Sequence, residues 1–535
     1  MPTKRVARTT TPNSRRISHV CHVGYGVQIF SPIFFFMSSS EHASSLDIES
    51  KTSHEAETPA EQEEGKEAET VAADEPYSAF PRPLKVFIVT VASASGFMSP
   101  FAINIYMPAV PDISRHLHIS SAQALLSLTT YLIFQGLSPS IWAPLSDTYG
   151  RRPILVCTFL VFLAANLGLS FTNVYWLLLV LRMLQACGAS SAIAIGAGCI
   201  SDVSQQKERG SYMGYFQFGT LLGPSIGPIV GGFMAQAWNW HGVFFFLSAF
   251  GGVYMIFLIF FLPESLRALV GNGSLQPVGV WRTIVPLWTK RTYGTKPKPM
   301  RMPPKLHIKT MGFDKPWRMY GQPDVALMIA TYAIPFGSFT LMSSCLSPVL
   351  YDNYELNSWQ MGLCFLGIGC GSAAGSIAVG HLLDREYARA MGVHGDQLNL
   401  HHVRMKYMPL FNILFSVFFI VNGWLLNYTI YLAAPLIMQF FASWFAVMYF
   451  NCINTVLVDI YPQRAASVTA ALNIGRCLTA AGFVAASQYI IDAIGYGWTQ
   501  TIFGLVSLLA PMPMAWAVMR YGPTWKHRRE CVSRE

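Results

Sequence analysis

The chain has 535 residues, of which 52% are hydrophobic and 12% charged, against about a quarter charged in soluble globular domains. Its formal net charge of +9 raises nucleic acid as a partner, but that requires a basic face on a soluble domain, and here the basic residues stand between long apolar runs. Composition therefore excludes an ordinary soluble enzyme or nucleic-acid binder and points to lipid as the surrounding medium. The ten cysteines are scattered singly, with no CxxC pair and no secreted disulfide framework.

In chain order, residues 1–85 come first. The stretch 39–79 is acidic, polar and poor in aromatics, a composition that cannot bury enough apolar surface to fold. Upstream, "GVQIFSPIFFF" is too short to span a bilayer, and "MSSSEHASS" from Met37 reads as a natural start. The expectation is a disordered segment over 1–85 in which 1–36 is an upstream gene-model artefact; intact mass of the native protein decides, and a mature chain retaining Pro2 refutes it.

Apolar stretches of about 20 residues, each long enough to cross a bilayer as a helix, then occur at roughly 86–108, 124–144, 154–172, 174–200, 213–236 and 242–262. A polar segment, 264–322, follows; it is rich in proline and lysine ("TKPKPMRMPPK"), lacks helical periodicity and reads as a linker. Six more spans lie at roughly 323–347, 359–383, 407–427, 429–457, 466–490 and 498–518. This predicts an all-α membrane protein of two six-helix halves, 86–263 and 323–518, with a short basic tail over 519–535. Of the 37 lysines and arginines, all but Arg115, Arg182 and Arg476 fall on one side if the chain alternates. The positive-inside rule makes that side cytoplasmic, with both ends of the chain.

Charge inside this apolar chain is concentrated at a few points. The turn after the second span, "LSDTYGRRPIL", carries Asp147, Gly150, Arg151 and Arg152. Positive-inside bias explains the arginines but not a carboxylate at the end of an apolar helix, where it is expensive. The eighth span ends the same way, "GHLLDRE", with Gly380, Asp384 and Arg385. Matching segments in two halves are a transporter signature. Arg182 lies about nine residues into the fourth span, some 13 Å along the helix. Arg476 lies about eleven residues into the eleventh. A guanidinium at such depth requires a partner or a wet cavity. No aspartate or glutamate lies deep in any span; the carboxylates nearest the apolar zone are Asp147, Asp202, Asp384 and Asp459. Polar and aromatic residues set singly on the spans are candidates for the wall of a substrate cavity: Asn104, Tyr131, Gln135, Gln185, Gln217, Gln439, Tyr449, Asn451, Asn454 and Asn473. His394, His401 and His402 lack acid or thiol partners at ligand spacing, so no metal site is expected. Without a GxxxxGK[ST] loop, a nucleophile elbow or an HExxH pair, neither ATP-driven transport nor enzyme chemistry is indicated.

These segments resemble the major facilitator superfamily. Its loop-two motif, G-x-x-x-[DE]-[RK]-x-G-R-[RK], is matched at Asp147, Gly150, Arg151 and Arg152, while Ala143 and Thr148 depart from it. "RMLQACGASSA" from Arg182 is similar to the fourth-span motif R-x-x-Q-G-x-G, with Ala186 for the first glycine. "GTLLGPSIGPIVGG" is similar to the fifth-span antiporter motif, at Gly223, Pro224, Gly227, Pro228, Gly231 and Gly232. "DVSQQKERGSYMG", "FLPESLRALVGNGS" and "NIGRCLTAAG" are similar to the fungal twelve-span drug:proton antiporters and their quinidine-resistance and dityrosine-exporter branch. The resemblance covers the chain from residue 85 onward.

It implies the major facilitator fold, with two pseudo-symmetric bundles, and export of small organic compounds across a plasma membrane by alternating access. The proton gradient is the implied energy source, with no bound cofactor, no nucleic acid and a functional monomer in the bilayer. Asp147 is implied as a latch that closes the cytoplasmic side. The family's antiporters often carry an acid in the first span, where this chain has Asn104. An amide carries no proton, so an end carboxylate, the substrate's own charge or no coupling at all must take its place. A proton-independent facilitator or importer of amino acids, polyamines or similar solutes is the alternative, and a transport-dead nutrient sensor a distant one.

Overall fold

The computed structural model describes residues 78–285, 299–303, 313–394, 404–461 and 465–532. The expected disorder over the first 77 residues, the Met37 start, His401 and His402 lie outside the described residues, as does the side chain of His394. Among the described residues, ten continuous helical stretches are long and apolar enough to cross a membrane. Two of them, Glu208–Phe261 and Ser467–Gly522, run to 54 and 56 residues, far beyond the roughly 20 that a bilayer needs. Each breaks where the backbone turns to positive φ, at Asn239 (φ 57°) and at Gly495 (φ 80°). Each is thus two crossings, giving twelve.

We number the crossings α1 (Arg82–Asn104), α2 (Ser121–Leu137, continued by Pro139–Tyr149), α3 (Arg151–Ser170), α4 (Tyr175–Val203), α5 (206–237), α6 (240–261), α7 (Pro323–Tyr354), α8 (Ser358–Cys364 continued by Leu366–His394), α9 (Met408–Asn427), α10 (Ala433–Ile460), α11 (465–494) and α12 (496–509, continued by Pro511–Val532). Helix starts repeat between the halves. The Ser120 hydroxyl accepts from the Gln123 amide while Gln123 Oε1 accepts from Ser120 N–H at 3.0 Å, a reciprocal cap that satisfies two orphan donors at the start of α2. At the start of α8, Asn357 N–H donates to Gln360 Oε1 at 3.1 Å. The two halves therefore begin their second helices alike.

Each half buries its own apolar interior, with Phe159, Phe162 and Phe244 fully enclosed in the first and Phe415 and Phe419 in the second. In a bilayer this enclosure contributes through close packing rather than through transfer from water, since lipid tails are as apolar as the interior. The faces turned outward carry Trp176, Phe171 and Val253, all more than two-thirds exposed, which suits lipid rather than water.

The segment after α6, expected as a plain linker, holds a small core of its own. Leu266, Leu269, Val270 and Met300 are buried together, with Leu275 and Trp281 against them. Arg301 N–H donates to Leu269 O at 2.9 Å and Ala79 N–H to Asn272 O at 2.9 Å. It forms a cap on the first half at the end where α2 turns into α3. We call that end the Gly150 face and the other the Arg115 face.

Candidate functional site

Two charge clusters occupy the Gly150 face, one per half. In the first, α3 begins directly after Gly150, whose φ of 110° is strained for any residue with a side chain. A Cβ there would also strike the Trp281 ring at 2.9 Å. Arg151 is clamped: its Nε donates to Asp202 at 2.9 Å, from the end of α4, and its Nη1 to Ser146 at 2.9 Å and to Asp147. Asp147 itself is 60% exposed. Arg152 turns the other way and donates to the carbonyls of Val280 and, at 2.6 Å, Ile259.

Beneath this turn lies Glu264, fully buried. One oxygen accepts the backbone N–H of Arg151 (2.9 Å), Ser265 (3.0 Å) and Leu266 (2.9 Å), and the other that of Arg152 (3.2 Å). A carboxylate at a helix N-terminus satisfies orphan donors and meets the positive end of the helix dipole. Burial still pushes its carboxyl above the ordinary range, against the lowering effect of those four N–H groups. Trp281 closes the arrangement by donating from Nε1 to Tyr149 O at 2.6 Å. Residue-type patterns gave no access to Glu264 or Trp281, since both reach the turn from more than 100 residues away.

The second half repeats the charges with a different arginine. Arg385 is exposed. Its place is taken by Arg404, 3% exposed, whose Nε lies 3.3 Å from Asp459 at the end of α10. Arg404 also donates to Leu383 O at 3.4 Å, lies 4.8 Å over the Tyr387 ring, and attracts Asp384. Gly380 lies one turn before Asp384 on α8 and is half-buried. The expected acids thus stand at matching places, but the partner of Asp384 and Asp459 comes from beyond the eighth-to-ninth loop.

The fifth-span glycines serve two neighbours. Gly223, Gly227 and Gly231 line one stripe of α5 against α1: a Cβ at Gly223 would come within 2.8 Å of Phe101 N, and one at Gly227 within 3.1 Å of the Asn104 Cβ. Gly232 packs its backbone on Ser358 and Trp359 of the opposite half, and Gly362 of α8 packs in turn on Pro228. Pro224 and Pro228 lie inside this helix, each removing one backbone donor. The motif is a close-packed bearing between α1 and α8.

At mid-depth the structure brings several expected residues together. Arg182 is wholly buried, with its guanidinium 3.7 Å from the centre of the Tyr106 ring and 4.7 Å from that of Tyr131. Its Nη1 donates to Gln185 Oε1 at 2.6 Å, and Gln185 donates to Asn166 Oδ1 at 2.7 Å. Nε and Nη2 have no partner, nor has the Tyr131 hydroxyl. One turn along α2, Gln135 O accepts from Asn473 Nδ2 across the seam between the halves at 3.1 Å. Asn473 Oδ1 in turn accepts from Arg476 Nε (3.1 Å) and Nη2 (2.8 Å). The two arginines thus reach neighbouring turns of α2, Arg182 lying over the Tyr131 ring and Arg476 bound through Asn473 to the Gln135 carbonyl, and among the described residues no carboxylate pairs with either. Tyr106 and Asn166 belong to this site and carried no signal in the sequence beyond being polar residues on apolar helices.

The other candidates are spread out. Asn104 donates to Pro100 O on its own helix at 2.7 Å. Tyr449 donates to Thr331 O of its own half at 2.8 Å. Gln439 is buried with both amide atoms unpartnered; Gln217 and Asn454 are exposed, and Asn451 is half-buried. Among the described residues no group of three or more His, Cys, Asp or Glu is placed to hold a metal.

A sequence profile described as Major Facilitator Superfamily matches residues 92–486. The chain belongs to that superfamily. It is 34% identical to Citrate exporter 1 of Aspergillus niger over 85% of this chain and 89% of that one. It is 32% identical to the MFS antiporter QDR2 of Candida albicans over 80% of this chain and 87% of that one. Among solved structures, a bacterial homologue of the human lysosomal transporter Spinster superposes with a TM-score of 0.59 at 15% identity, over 82% of this chain and 98% of that one. Such a likeness establishes the fold. The chain is therefore a multi-pass membrane transporter whose twelve crossings make the major facilitator fold, and its family relatives place it among efflux carriers.

Proposed function

We propose that this carrier exports small organic anions, carboxylates above all, by alternating access across the plasma membrane as a monomer, with the Gly150 face cytoplasmic as the positive-inside rule requires. The observation that supports this reading is the pair Arg182 and Arg476. A cation buried in the membrane zone without an acid partner is costly, and a bound anion supplies the missing charge at the moment of transport. Aromatic faces and amides stabilise the guanidiniums meanwhile without quenching them. A citrate exporter among the relatives fits the same chemistry, and a cationic substrate does not.

The family reading gives proton antiport as the energy source, through an end carboxylate such as Asp147, Asp202, Asp384 or Asp459. One observation favours a second reading, a facilitator: no aspartate or glutamate lies midway along any span. An anion leaving a negative interior gains about 2.3 kcal/mol per charge per 100 mV, enough to drive export unaided. Purified protein in liposomes, with a pH-sensitive dye inside, tests both. Di- and tricarboxylates should move, hydrophobic cations and polyamines should not, and Arg182→Ala or Arg476→Ala should cut flux more than tenfold. Proton movement accompanying the carboxylate supports antiport; flux that follows an imposed potential without protons supports the facilitator. Transport of cations unaffected by either substitution refutes the anion reading.

A further inference from the structure

On the Arg115 face, the helical turn Val110–His116 that ends the first crossing reaches over the seam. Asp112 Oδ2 accepts from Ser358 Oγ at 2.6 Å, from the start of α8. Arg115 pairs with the other oxygen of Asp112, donates to the Tyr351 hydroxyl of α7 at 2.9 Å and lies 4.5 Å over the centre of its ring. The same Ser358 presses its backbone on Gly232 of α5. At the Gly150 face, among the described residues, the partners of Arg151, Asp202, Glu264, Arg404 and Asp459 lie within their own halves. The seam is therefore tied at mid-depth and at the Arg115 face.

We propose that Asp112, Arg115, Tyr351 and Ser358 form the external gate of the carrier, holding the outer mouth shut while the inner one is open. The inference rests on the orientation given above and on alternating access, and not on the choice of an anionic substrate.

The distribution of charge explains how such a gate can cycle. Both charged members belong to the first half, one turn apart on the same segment. The second half contributes only a hydroxyl donor and a phenol. An ion pair split across the seam would leave two desolvated charges unmatched on opening. Here Asp112 and Arg115 leave together and stay neutralised, so opening forfeits two hydrogen bonds, Ser358 to Asp112 and Arg115 to the Tyr351 hydroxyl, and one cation–π contact. Those contacts bias the closed state by roughly ten- to a hundredfold, a preference that substrate or potential can reverse.

Hydrogen–deuterium exchange of the full chain in lipid nanodiscs, without substrate, tests the gate. In the double variant Ser358→Ala/Tyr351→Phe, peptides covering 108–120 and 350–362 should exchange roughly tenfold faster, and peptides covering 145–155 and 262–270 should become correspondingly slower. That reciprocal change is the mark of a gate, because a population opening outside must close inside. Tyr351→Phe alone keeps the ring, removes only the hydroxyl, and should give a several-fold shift in the same two directions, which keeps the test available if the double variant folds poorly. Faster exchange at the outer peptides without protection at the inner ones would show local packing only and overturn the proposal, as would no change at either end. Because no substrate is present, failure of the anion reading leaves this result untouched.

Discussion

The two charge clusters of the Gly150 face use the same parts in different settings. In the first half the arginine follows its acid by four residues across the Gly150 turn, is held from a second side by Asp202, and sits on a helix start capped by Glu264 and covered by Trp281. In the second half Arg404 arrives from beyond the loop, is held by Asp459, and rests on a carbonyl and a tyrosine ring. The first cluster sets two acids in direct contact with one cation; the second gives a more deeply buried cation one. Redundancy, rather than the number of charges, should decide what each substitution does.

The sharpest test of that comparison is Asp459→Asn. It removes the one acid in direct contact with the buried Arg404 guanidinium and leaves only the more distant Asp384, a carbonyl and a ring, which costs roughly 3–5 kcal/mol, and detergent-solubilised protein should lose much of its thermal stability. Asp202→Asn leaves Arg151 with Asp147 and Ser146, so a loss of about 2 kcal/mol is expected; equal losses in the two variants would break the argument from redundancy. Glu264→Gln replaces one acceptor oxygen with a donor facing backbone N–H groups, at a cost of about 1–3 kcal/mol. Burial raises the Glu264 carboxyl in the folded chain, so its ionisation disfavours the fold: its contribution is fullest below the unfolded value and is lost as pH rises through the folded one. Melting temperature measured against pH should therefore fall less steeply over that window in Glu264→Gln than in the parent. Asp147→Asn, at a side chain 60% exposed, should cost at most about 1 kcal/mol and yet cripple transport if Asp147 latches the inner mouth. Unchanged transport with unchanged expression removes the latch.

The spans were legible because hydropathy is local: every crossing announces itself within about 20 residues. So were Asp147, Asp202, Asp384 and Asp459, since a carboxylate beside an apolar run stands out wherever its partner lies. Arg385 illustrates the limit. It adjoins Asp384 in the chain but is exposed, whereas Arg404 lies beyond an intervening loop whose path no periodicity reveals. Glu264 was hidden for the same reason: "LPESLR" gives no hint that its acid caps a helix starting at Arg151. Arg182 was conspicuous as a charge, but its aromatic cradle was not, because Tyr106 and Tyr131 come from different helices. What the chain carries locally can be read; what depends on closure of the fold cannot.

The glycine stripe of α5 has one more consequence. Helices that interlock through bulky side chains resist relative sliding, since each ridge must climb out of its groove. Where Gly232 and Gly362 meet Ser358 and Pro228, backbone faces backbone, and there is little relief to catch. Such a contact works as a smooth journal: it fixes the separation of the two halves and offers few side-chain ridges to lock them. The angle seen here is then held by the ties on either side of that contact, the amide of Asn473 at mid-depth and the hydroxyls, ring and charges of the Arg115 rim.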